Sequence, residues 1–349
     1  MSRPPRRILV LRTSALGDVV HCLPVLTALA RHLPEARVGW VIEGAFAPLL
    51  AGHPDLDTLI EVRLRAWRRR PFAASTRREL AGLWRALRSF RPDVVLDLMG
   101  NHKAGVLGAL TFARRRIGLA RRQRREPSSV IWITETAEAA GRHAVERALA
   151  VLGRLGLPEE PPDFGGDRLF GGGAAVAPEG PREQPLCLMH PGAAWGNKIY
   201  PPERWGAVAR GLAERAGAQV RVALSPSPAE RELAERIVRA SEGAASSVDA
   251  GDLPTLGALS RRASLVLGGD SGPLHLAHAL GTPVLCLMGP TDPQRHGPYG
   301  DPRGALSRRL PCSYCYRRFA GTKACLLELT PGAVVERAVE ILVNSAAID

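Results

Sequence analysis

Short apolar runs alternate with helically spaced stretches along this chain, and the alternation occurs in two separate series. The first has strand-like runs at Arg7 to Leu11, Val38 to Ile42, Thr58 to Val62 and Asp93 to Leu98. The second has them at Leu186 to Met189, Gln219 to Leu224, Ser264 to Leu267 and Val284 to Met288. Strands separated by helices pair in parallel, and the helices cover both faces of the resulting sheet. A chain of 349 residues exceeds what a single core supports, so each series predicts its own domain. Pro158 to Pro185 is rich in proline and glycine, including Gly171-Gly172-Gly173, and reads as the connection. The expected division is a first domain over 1–165, a linker over 166–185 and a second domain over 186–349. The last helix, from about Pro331, is expected to pack back across onto the first domain. The fold class predicted is α/β, with two Rossmann-like parallel-sheet domains.

Arg12 and Asp18 interrupt the apolar N-terminal run, so it does not read as a signal peptide. No segment approaches the roughly 20 apolar residues of a membrane span. A soluble, intracellular protein is expected. The net charge of +13 calls for an acidic partner: nucleic acid, an anionic membrane surface or a phosphorylated substrate. Aromatics make up only 5% of the chain and no nucleic-acid module is recognisable, which argues against nucleic acid. The first strand-to-helix turn, Thr13 to Asp18, lacks G-x-G-x-x-G, which argues against a dinucleotide-dependent dehydrogenase. Six cysteines in such a chain do not form a secreted disulfide framework. Cys312, Cys315 and Cys325 are expected as reduced thiols, since a structural zinc site wants four ligands.

Two segments are built for anions. Gly268 to Leu280 runs from an apolar strand through glycines into a helix, aiming unpaired N–H groups and a positive dipole end at whatever lies beyond the strand. His190-Pro191-Gly192-Ala193-Ala194-Trp195-Gly196-Asn197-Lys198 follows another strand and leads into Pro201 to Trp205, a helix start with proline in its first turn. Lys198 stands out because only three of the 47 basic residues are lysines.

These segments carry a family resemblance. Arg12 to Pro24, Gly192 to Lys198 with Pro201 to Trp205, and Gly269 to Leu280 followed by Gly289-Pro290-Thr291-Asp292-Pro293 resemble, in order, the motifs of the heptosyltransferases. That family moves heptose from ADP-heptose onto the lipopolysaccharide inner core, and the match spans most of residues 6 to 345. The resemblance implies the GT-B arrangement, two Rossmann-like domains facing a central cleft, and an inverting transfer without cofactor or metal. Asp18 matches the family's catalytic base. Lys198, Glu230, Asp270, Ser271, Gly272 and His275 match its donor-binding positions. On the acceptor side, Arg65, Arg68, Arg69, Lys103, Arg125 and His143 resemble the branch that reads a Kdo disaccharide on lipid A. Planar guanidinium groups suit its carboxylates and phosphates. Arg63, Arg65, Arg68, Arg69 and Arg70 cluster around Trp67, and Arg121, Arg122, Arg124 and Arg125 form a second cationic cluster. Ala193-Ala194 replaces hydroxyl residues of that branch, so backbone amides are expected to serve there. Asp55-Leu56-Asp57 spells a metal-binding D-x-D but reads as an ordinary turn. The expected partners are the nucleotide-sugar donor, an anionic lipid-linked sugar acceptor and an anionic membrane surface. A monomer on the cytoplasmic face of the inner membrane is expected. A transferase adding a later core sugar and a non-catalytic nucleic-acid-binding protein are the alternatives.

Overall fold

The computed structural model describes residues 4–172 and 184–346. The chain divides into two compact units. In the first, β1 (Arg7–Leu11), β2 (Arg37–Glu43), β3 (Thr58–Val62), β4 (Val94–Asp97), β5 (Arg115–Leu119) and β6 (Glu135–Ala137) form one sheet in the order β3-β2-β1-β4-β5-β6. In the second, β7 (Leu186–His190), β8 (Gln219–Leu224), β9 (Ala245–Asp249), β10 (Leu265–Gly269), β11 (Val284–Met288) and β12 (Ala305–Ser307) are ordered β12-β11-β10-β7-β8-β9. All pairings are parallel. Read from the opposite edge, the second order repeats the first, the doubly wound arrangement.

The central strands read as continuous apolar runs because helices cover both their faces. Ile8 to Leu11 are fully buried, as are Val284 and Leu285. Four strands lay outside the sequence reading: β5, β6, β9 and β12. Three of them are sheet edges, and β5 lies one place inward, where partial exposure permits polar residues such as those of Ala245–Asp249.

One boundary differs from expectation. Gly166–Gly172 forms short 3₁₀ turns that pack on the first unit: Leu169 is fully buried and Arg168 pairs with Asp55 at 2.6 Å. The expected linker therefore begins too early, and its span 173–183 lies outside the described residues. The last helix, Pro331–Ala346, buries Val334, Val335, Ala338 and Ile341 in the core of the second unit, against the helix Pro202–Ala216.

Candidate active site

Strand order reverses between β7 and β10, where His190 is in register with Gly268, so a crevice opens beyond the carboxyl ends of these strands. From β7 the chain turns to a 3₁₀ turn at Gly196–Lys198, and from β10 it passes Asp270 into the helix Gly272–Ala279, with Ser271 at its N-cap position. Lys198 bridges the two. Its Nζ donates to Asp270 Oδ2 at 2.6 Å and to the Asp270 main-chain oxygen at 3.2 Å. His275 Nε2 lies 3.1 Å from the other carboxylate oxygen, and the Thr291 hydroxyl donates to Oδ2 at 2.5 Å.

Burial raises the Asp270 pKa, but His275 and Lys198 outweigh it and hold the carboxyl well below the usual carboxylate range. Asp270 is thus held as a carboxylate that fixes the Lys198 ammonium and the His275 ring. Beside it, Ser271 Oγ is buried without a hydrogen-bond partner among the described residues. A buried hydroxyl, a held ammonium and the N-terminal end of a helix suit a diphosphate.

Glu230 joins this edge from the helix Pro228–Ala240. Its carboxylate lies over Gly192, where a Cβ would meet Glu230 Cδ at 2.6 Å, so a side chain at 192 would evict it. Burial pushes the neighbouring His190 imidazole below its ordinary value, with Glu230 pulling the other way. The expected donor residues therefore gather on one sheet edge, from strands far apart in sequence.

In the first unit the reversal falls between β1 and β4. The helix after β1 spans Leu16–Val20, so it starts before Asp18 rather than at Val19. Asp18 Oδ2 accepts the Ala15 N–H at 3.2 Å and pairs with Arg12 at 2.8 Å. Arg12 also donates to the Leu98 carbonyl beyond β4, spanning the reversal. Burial opposes the Arg12 charge, yet Asp18, with Cys22 and Asp97, outweighs it and raises the Arg12 pKa. Asp18 therefore caps the helix and neutralises a buried guanidinium, with its side chain 35% exposed.

The expected acceptor residues lie on elements that follow successive strands of this sheet, hence on the same edge as Asp18. Arg65, Arg68 and Arg69 are exposed on Leu64–Arg69 after β3, Lys103 is exposed on His102–Leu110 after β4, and Arg125 is exposed after β5. Two residues depart from expectation. Arg124 is buried and ion-paired with Asp97, and its Nε donates to Ser129 Oγ at 2.8 Å, so it braces the fold and leaves the cationic cluster. His143 is 7% exposed and caps Ala144–Leu149, accepting the Val145 N–H at 3.2 Å, with its ring 5.5 Å from that of His21.

Residues 80–324 match glycosyltransferase family 9 (heptosyltransferase). The chain belongs to that family. It is 34% identical over 322 residues to lipopolysaccharide heptosyltransferase 1 of Pseudomonas aeruginosa, covering 89% of this chain and 86% of that one. It is 29% identical over 298 residues to lipopolysaccharide heptosyltransferase 1 of Escherichia coli K12, covering 84% and 91%. Among solved structures it resembles E. coli heptosyltransferase WaaC with ADP-2-deoxy-2-fluoro heptose, with a TM-score of 0.78, 26% identity and coverage of 96% and 99%.

For a family 9 glycosyltransferase, three features lay beyond the sequence reading. Arg12 sits inside the opening motif, but its burial beside Asp18 is a tertiary fact. Thr291, in Gly289 to Pro293 after β11, reaches back 21 positions to Asp270; its position at a strand's carboxyl end was the available signal. The third is a clasp on the Lys198 loop. Phe319 O accepts the Asn197 N–H at 3.1 Å and Arg317 O accepts from Asn197 Nδ2 at 2.7 Å. The Trp195 ring lies 4.5 Å from Lys198 Nζ and 4.6 Å from the Arg318 guanidinium. A Cβ at Gly196 would stand 2.1 Å from Ala320 O, so that approach requires glycine.

The D-x-D carboxylates have structural partners. Asp55 pairs with Arg168, while Asp57 accepts the Val38 N–H at 2.8 Å and pairs with Arg37. Cys312 is exposed, Cys315 half-buried and Cys325 buried. Burial would raise the Cys315 thiol, but a backbone hydrogen bond at Arg317 and the Lys323 ammonium 3.1 Å away push it down. Among the described residues, no three His, Cys, Asp or Glu side chains converge as a metal site.

Proposed function

We propose that this glycosyltransferase moves heptose from ADP-heptose onto a Kdo-lipid A acceptor of the lipopolysaccharide inner core, with inversion and without a metal. The observation that carries the reading is the Lys198 ammonium, held by Asp270 beside Ser271 at a helix N-terminus, because a pre-positioned cationic donor suits a leaving diphosphate as it accumulates negative charge. Relatives named lipopolysaccharide heptosyltransferase 1 and a solved relative holding a fluorinated ADP-heptose support the choice of donor and acceptor.

In this reading Asp18 takes the proton of the acceptor hydroxyl. The acceptor oxygen bonds to the anomeric carbon as that carbon's bond to the β-phosphate oxygen breaks, and ADP departs with the electron pair. Lys198, Ser271 and the Gly272 N–H hold the diphosphate, and Glu230 takes the ribose hydroxyls. Arg65, Arg68, Arg69, Lys103 and Arg125 bind the acceptor's acidic groups. The enzyme works as a monomer at the cytoplasmic face of an anionic membrane, and no helix among the described residues is long and apolar enough to cross it.

The test is incubation with ADP-heptose and Kdo-lipid A in the presence of EDTA, with the product's mass and anomeric configuration determined. One added heptose with inverted configuration is expected. A requirement for magnesium, or transfer only to a core already carrying heptose, would replace the reading.

A further inference from the structure

The helix Ala74–Phe90 buries Thr76, Leu83, Leu87 and Phe90 against its sheet. On the adjoining flank, Arg77, Leu80, Trp84 and Arg88 follow at intervals of three, four and four, so they form one stripe. Leu80 is 43% exposed and Trp84 50%. Phe112, just past the helix His102–Leu110, is 69% exposed, and the Arg88 guanidinium lies 4.6 Å over its ring. Single exposed apolar residues are ordinary, but a Trp, a Leu and a Phe bordered by arginine are not a core's leftovers.

Charge completes the picture. Residues 63–91 contain ten arginines and one acid, Glu79. That acid accepts from Trp67 Nε1 at 2.6 Å and lies 3.7 Å from Arg63. A nucleic acid would match the arginines and leave the apolar groups unused. A second copy would bring the same positive charge and be repelled. A bilayer surface of anionic headgroups over acyl chains matches both components.

We infer that the Arg77–Leu80–Trp84–Arg88 stripe, with Phe112, docks the first unit onto an anionic lipid surface. The inference deepens the membrane part of the proposed function, resting on it only for the purpose of docking: delivery to a lipid-borne acceptor. Trp84, Leu80 and Phe112 enter the headgroup boundary while Arg77 and Arg88 keep their guanidinium groups at the phosphates.

The experiment is co-sedimentation of the full chain, without ADP-heptose, with vesicles of phosphatidylglycerol and phosphatidylethanolamine or of phosphatidylcholine alone. Wild type is expected to bind the anionic vesicles and not the neutral ones. A basic residue near such a surface contributes about fivefold in partitioning, so Arg77→Gln with Arg88→Gln is expected to weaken binding roughly 30-fold. Trp84→Ser with Phe112→Ser is expected to weaken it at least about tenfold. If Phe112→Ser disturbs its helix end, Trp84→Ser alone carries the test. ADP affinity and turnover of a water-soluble deacylated acceptor are expected to stay at wild-type values. Those two assays test the transferase chemistry separately, so failure there and failure on vesicles are distinct. Wild-type vesicle binding by both double variants overturns the inference, as does equal binding to phosphatidylcholine. So does a Trp84-dependent change in molecular mass by light scattering, or RNA binding lost with the arginines and indifferent to Trp84.

Discussion

Asp18→Asn separates chemistry from architecture, and the structure sets the size of each effect. Asparagine retains an oxygen for the Ala15 N–H, so the helix cap survives; the carboxylate charge beside Arg12 is lost. Exposed ion pairs contribute about 0.2–1 kcal/mol, whereas stripping the partner from a buried charge costs about 3–5 kcal/mol. Asp18 is 35% exposed, and Arg12 keeps the Leu98 carbonyl, so the loss belongs near about 1–2 kcal/mol. At about 2–4 °C per kcal/mol for a domain of this size, Tm falls by about 2–8 °C. Loss of a general base costs far more in rate, about 10²–10⁴-fold in kcat, or roughly 3–5.5 kcal/mol of barrier. ADP affinity is expected to hold, because the loops proposed to bind the nucleotide belong to the other unit. Steady-state ADP release, differential scanning calorimetry and ADP titration report the three quantities. Retention of more than about a third of wild-type kcat would refute Asp18 as the base. An unfolded variant would show that the Arg12–Asp18 pair is a structural keystone.

Lys198→Ala removes a charge-assisted contact worth about 1.5–3 kcal/mol, so ADP should bind about 10- to 150-fold more weakly by calorimetry; unchanged affinity removes Lys198 from the diphosphate site. The Asp270 carboxyl is depressed in the fold below its ordinary 3.8. Its stabilisation is therefore full above that value and drains away as pH falls through the lower folded value. Urea midpoints from pH 7 down to about pH 3 should show a stability gap between wild type and Asp270→Asn that is constant until about pH 4 and then narrows. A gap that widens in acid would mean that the carboxyl is protonated in the fold.

Legibility in the sequence tracked locality. β1, β7, β10 and β11 stand out because strands buried on both faces become uninterrupted apolar runs. β6 and β9, at sheet edges, spell Glu135-Thr136-Ala137 and Ala245-Ser246-Ser247-Val248-Asp249 and carry no such signal. The loops after β7 and β10 were readable because glycine, proline and lysine cluster within a few positions of each strand end. Thr291 could be placed at a strand's carboxyl end, but its partner Asp270, 21 positions back, is fixed only by the fold. Arg124 and Arg125 look alike in sequence, yet Asp97 from β4 meets one and leaves the other at the surface. The capping place of His143 had a local sign: Glu146 three positions on returns its carboxylate to the His143 N–H at 2.9 Å, a reciprocal cap.

The clasp between the Lys198 loop and Arg317 to Ala320 defines what can be exchanged among relatives. It is made of main-chain oxygens and a forced glycine contact, so neither strip keeps its shape without the other. A graft of residues 191–198 alone from another member would arrive without its template, and a one-residue deletion within 317–320 would shift the carbonyls that Asn197 reads. The unit to transplant or diversify is therefore a pair of strips, separated by 120 positions at Asn197 and Arg317, that belong together.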